Sequence, residues 1–147
     1  MDSLDQYEKD CKRIRNNNAV LLEEFANSLG EKNLAENTIK KHCSNVDFFI
    51  NEYLLYEETK EATEGPEYIG DFLGFWFIRK AMWASPAAIK GNAASLKIFY
   101  RFMHNIGKIS KESLDELKQT IKEEMPEWIA TVNRYDDPDI ENSEDIW

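Results

Sequence analysis

Apolar residues recur at helical spacing in five stretches of the chain. Leu4 to Arg15 reads as a polar helix or arm. Asn16-Asn17-Asn18 follows as a break or cap, and Ala19 to Leu29 resumes with Val20, Leu21, Leu22, Phe25 and Leu29 before Gly30 supplies a stop. A second helix is expected from Ala35 to Tyr56, where Ile39, Val46, Phe49 and Tyr53 fall on one stripe. Thr59 to Gly65 reads as an acidic loop and Pro66 as a first-turn proline. The next helix, Glu67 to Trp83, is apolar on nearly every face, as expected of the buried centre of a bundle, and Gly70 and Gly74 would let a neighbouring backbone approach. Ser85-Pro86 is an N-cap followed by a first-turn proline, opening a helix that runs to Asn105 and closes at Gly107. Ser110 caps the last helix, which carries Leu114, Leu117 and Ile121 and is interrupted by Pro126.

Four prolines and six glycines leave few breakers, and a hydrophobic fraction of 42% suffices for one core in 147 residues. The fold class expected is all-α, a compact bundle of four to five helices. Residues 1–18 form a charged arm or helix and residues 19–133 the helical domain. Residues 134–147 form an acidic tail with isolated Ile140, Ile146 and Trp147, expected to be disordered. No run of about 18 apolar residues exists, and the charged amino terminus has no apolar signal core, so no membrane association and a cytoplasmic location are expected. Cys11 and Cys43 lack metal-site spacing and read as two reduced thiols; no cofactor and no metal are expected.

Charge restrains any nucleic-acid reading, because the net value is −10 and backbone binding needs cations. Its distribution is uneven. Met1 to Asn33 holds seven acids and five bases, Leu34 to Lys108 nine of each, and Ile109 to Trp147 twelve acids and four bases. A locally basic face on the middle segment is therefore compatible with an acidic whole.

Phe25-x-x-x-Leu29, Gly30-x-x-x-Leu34-Ala35-x-x-Thr38-Ile39 and Val46-x-x-Phe49 together resemble the pattern of tyrosine recombinases, the family that includes phage integrases. Ser85-Pro86-x-x-Ile89-Lys90, Leu96-Lys97-x-Phe99-Tyr100-x-Phe102 and Gly107-x-Ile109 look like a later helix and exit of that family's amino-terminal core-binding domain. The resemblance spans about Ala19 to Ile109 and implies a sterile-alpha-motif-like (SAM-like) fold that clamps double-stranded DNA. Two departures accompany it. Ala35 stands where the family carries a capping serine, and an acidic helix replaces the linker to a catalytic domain.

The resemblance implies that the starts of the second and fourth helices face the duplex, with Asn37, Thr38, Lys40 and Lys41 on one and Lys90, Asn92 and Lys97 on the other. It implies no catalysis, since the strand-cutting chemistry needs arginines, His-x-x-Arg and a tyrosine nucleophile. Here His42 is followed by Asn45 and His104 by Gly107, and Tyr53, Tyr100 and Tyr135 have no basic cluster around them. No GxGxxG, P-loop, HExxH or nucleophile elbow occurs, and no small-molecule substrate is expected. Two functions follow as expectations: a non-catalytic DNA-binding module, or a protein-interaction module of the same fold, for example one that modulates a full-length recombinase.

Overall fold

The computed structural model describes residues 3–135, and every regular element among them is helical. The chain runs through α1 (Ser3–Glu31), α2 (Glu36–Asp47), α3 (residues 69–80), α4 (Pro86–Asn105) and α5 (Lys111–Tyr135). A π-helical turn, Phe48–Tyr53, prolongs α2, and a 3-10 segment, Ala62–Tyr68, leads into α3. No helix among the described residues is long and apolar enough to cross a membrane.

α1 does not break at Asn16 to Asn18. Asn18 is buried, and its Nδ2 donates to Asn51 Oδ1 at 2.8 Å and to the Ile50 carbonyl at 3.3 Å. Those tertiary bonds outweigh the weak helix propensity of asparagine. The amino-terminal half of α1 is tied down as well: Cys11 and Ile14 form a small cluster with Leu55, and the Tyr7 hydroxyl donates to the Leu55 carbonyl. Gly30 lies inside α1. The stop is Asn33, left-handed at φ 62°, with Asn33 N–H on Gly30 O and Leu34 N–H on Leu29 O.

The helix start at Ser85 and the stop at Gly107 match the expectation from sequence. Ser85 Oγ accepts the Ala88 N–H at 3.0 Å, and Gly107 takes φ 78° while Lys108 N–H reaches back to Met103 O. Ser110 Oγ likewise caps the start of α5 through the Ser113 N–H. Pro126, by contrast, does not end α5; the helix continues through it because Trp128 and Val132 anchor the second half in the core.

α4, not the 67–83 stretch, is the centre of the bundle. It buries Ile89, Ala93, Leu96, Phe99, Tyr100 and Met103 and packs on α1, α2, α3 and α5. α3 buries Ile69, Phe72, Leu73, Phe77 and Ile78 but leaves Phe75 and the following Met82 and Trp83 exposed. Its residues Phe72–Trp76 form a π-helical turn. Gly70 and Gly74 are approached by side chains rather than by a backbone. A Cβ on Gly74 would stand 2.8 Å from the Trp128 indole, and one on Gly70 would stand 3.2 Å from Glu124 Oε1. The expected acidic loop is the 3-10 segment itself, which buries Ala62, Gly65 and Pro66 beneath the Tyr100 hydroxyl.

Candidate nucleic-acid interface

α2 lies across α4 along a seam with a polar middle. His42 Nδ1 is 2.7 Å from Ser95 Oγ, and Asn45 Nδ2 donates to the same oxygen at 3.0 Å. Ser95 is buried, so its one hydroxyl proton is best placed by donating to His42 Nδ1 while its oxygen accepts from Asn45. That arrangement requires a neutral imidazole. Burial, and after it the charge of Lys41, lowers the His42 pKa below its ordinary 6.5 in keeping with this.

The seam also fixes which basic residues come together. Asn92 of α4 borders the same hollow as Ser44, Asn45 and Asp47 of α2, whereas Ser95 meets His42. Phe25 of α1, just before α2, packs on Phe99 and Phe102. The two helices are therefore antiparallel at their crossing. The start of α2, with Asn37, Thr38, Lys40 and Lys41 all exposed, lies toward the α4 end that carries Lys97. Lys90 stands at the opposite end of the seam from Lys40 and Lys41.

The candidate residues differ in availability. Lys40 pairs with Glu36 at 3.6 Å within its own helix. Asn92 is withdrawn from the surface: it is 4% exposed, and its Nδ2 donates to the Ala88 carbonyl at 2.8 Å. It does not offer its amide to a base edge. Lys90 is exposed and Lys97 half-buried. Arg101, exposed and one turn beyond Lys97, completes their stripe, which the sequence reading missed. Lys41, Lys90, Lys97 and Arg101 have no ion-pair partner among the described residues.

A signal for Arg101 was available in the sequence. From Phe72 to Lys111 there are seven bases and no acid, so α4 carries only positive charge although the chain as a whole is at −10. Lys90 and Arg101 stand eleven residues apart, about 16 Å along the helix. The spacing suits contacts to several successive phosphates rather than to one.

Two of the tyrosines are held protonated. The Tyr53 hydroxyl donates to Asp71, and burial together with that carboxylate raises its pKa. Tyr100 is fully buried, donates to the Ala62 carbonyl at 2.7 Å and is raised by burial. Both shifts run against the activation that a tyrosine nucleophile needs. No family model, curated protein or solved structure matches the chain.

Proposed function

We propose that the chain is a non-catalytic DNA-binding module of the SAM-like, core-binding type, which lays the outer stripe of α4 along a phosphate backbone. The observation that carries this reading is the segregation of charge: Lys90, Lys97 and Arg101 share one acid-free helix and have no ion-pair partner among the described residues. Lys41 adds a fourth cation from the start of α2. With Asn92 buried, the stripe of Lys90, Lys97 and Arg101 directs its contacts to phosphates, and binding is largely independent of sequence.

Fluorescence anisotropy with a labelled mixed-sequence duplex tests it. At about 50 mM salt the intact protein binds, and the Lys90→Glu/Lys97→Glu/Arg101→Glu variant, altered only on one helix's solvent stripe, loses at least about tenfold in affinity. Unchanged affinity after triple reversal, or no binding at this salt, removes the reading. A second reading, a protein-interaction module, is favoured by one specific observation. Met82 is 98% and Trp83 59% exposed on the loop before α4, and Phe75 is 53% exposed nearby in sequence, under the Arg79 guanidinium at 4.0 Å.

A further inference from the structure

We infer that the hollow at the α2–α4 seam, where α2 ends and α4 begins, is a binding site for a guanidinium or alkylammonium group. Its volume is about 280 Å³, just below the range of drug-sized ligand cavities and enough for one side-chain end or a small amine. Asp47 and Glu52 line it from the α2 side, Phe48 and Trp83 supply ring surface, and Asn45 and Asn92 supply amides. Among the described residues no lysine, arginine or histidine lines it.

The two carboxylates and the oxygens of the two amides there are acceptors. Asn45 commits Nδ2 to Ser95 Oγ, and Asn92 commits Nδ2 to Ala88 O, one turn back along its own helix. What remains of each amide is Oδ1 and one N–H. The Asn92 Oδ1 favours a donor, because it is buried with no hydrogen-bond partner among the described residues, on a residue 4% exposed that lines the hollow. A buried carbonyl in that state is destabilising until a donor reaches it. Asp47 accepts only the Asn51 amide, and neither it nor Glu52 has an ion pair among the described residues.

The ring geometry selects among cations. Trp83 packs edge-on against Phe48, with centroids 5.3 Å apart at 64°, and stays 59% exposed, which leaves aromatic surface for a cation to meet. Among the described residues no three His, Cys, Asp or Glu side chains converge as a metal ion requires. Two carboxylates beside aromatic rings suit a flat, weakly hydrated, donor-rich cation. An anion would meet the carboxylates, and an apolar group would leave Oδ1 unpaired. The inference is independent of duplex binding, since none of Lys41, Lys97 and Arg101 lines the hollow.

Titration of the full chain with N-acetyl-arginine amide, followed by the Trp83 indole N–H resonance in a two-dimensional NMR spectrum, tests the site. The neutral isostere N-acetyl-citrulline amide is the control. A Trp83→Phe sample assigns the resonance. The arginine probe shifts it saturably, the citrulline probe does not, and Asp47→Asn/Glu52→Gln weakens binding about tenfold or more. Both substitutions are isosteric at the rim. Asn92→Leu, which removes the buried acceptor, also weakens binding. Two further probes separate the source: tighter binding of acetyl-Gly-Arg-Gly-amide assigns an arginine side chain of a partner protein, and tighter binding of agmatine assigns a small free amine, either result supporting the site. Equal binding of the citrulline probe, unchanged affinity in the Asp47/Glu52 double variant, or no shift up to about 50 mM arginine probe overturns the inference.

Discussion

Gly65 sits where the 3-10 segment passes under the most buried tyrosine of the molecule. A Cβ there would collide with the Tyr100 hydroxyl and stand 2.8 Å from the Phe49 ring. Neither can yield easily, because Phe49 and Tyr100 are fully buried and the hydroxyl is held on the Ala62 carbonyl. Gly65→Ala is therefore expected to cost about 1–3 kcal/mol by overpacking, measured by denaturant unfolding. The nearest obstacle is a single oxygen, so Gly65→Ala in a Tyr100→Phe background should cost clearly less than in the native one. Equal costs in both backgrounds would place the strain elsewhere. Position 65 reads as a loop glycine in the sequence; only the opposing tyrosine, 35 residues on, reveals why a side chain is excluded.

α5 carries a proline in its interior, and Pro126 is exposed there. Its ring removes an N–H from the helix ladder and crowds the carbonyl one turn back. Pro126→Ala should thus stabilise the protein, by about 1–2 kcal/mol once the greater freedom of the unfolded alanine chain is subtracted. A lower melting temperature for that variant would show that the proline sets a bend the core depends on. The α2–α4 seam yields a pH prediction. Since His42 has its pKa lowered below 6.5 in the folded chain, the unfolded chain takes up the proton first as pH falls. The stability it contributes is complete above that value and is lost between it and the lower folded pKa. His42→Gln, which cannot titrate, should flatten the stability profile between about pH 7 and about pH 5 relative to the native protein. Identical profiles would exclude the seam as the origin. Elements set by local signals were legible in the sequence: Ser85-Pro86 starts α4, Gly107 ends it, and the stripes of α2 and α5 are core. Elements set by distant partners were not. Asn18 continues α1 because of Asn51, Trp128 and Val132 carry α5 past Pro126, and Asn92 is buried where α2 covers it.

At the scale of the whole molecule two charge distributions oppose each other. Residues 72–111 hold seven bases without an acid, whereas residues 136–147, which lie outside the described residues, hold six acids without a base. Of the tail expected to be disordered, residues 134–147, Arg134 and Tyr135 instead end α5 and the rest lie outside the described residues, but the tail's charge acts at a distance whatever path it takes. If Lys41, Lys90, Lys97 and Arg101 neutralise phosphates, the logarithm of the binding constant falls with the logarithm of salt at a slope of about −3 to −4. Charge reversal at any one of the four should make that slope shallower by about one. Removing the tail after Tyr135 leaves those contacts in place, so it should leave the slope nearly unchanged while raising affinity. The gain should be largest at low ionic strength, where the screening length of about 30 Å at 0.01 M reaches across the domain, and should fade near 0.15 M, where it is about 8 Å. Anisotropy titrations of intact and truncated protein across that salt range measure both quantities. A truncation that weakens binding, or that strengthens it equally at every salt concentration, would show that the tail touches the duplex or the interface instead of repelling the phosphates from afar.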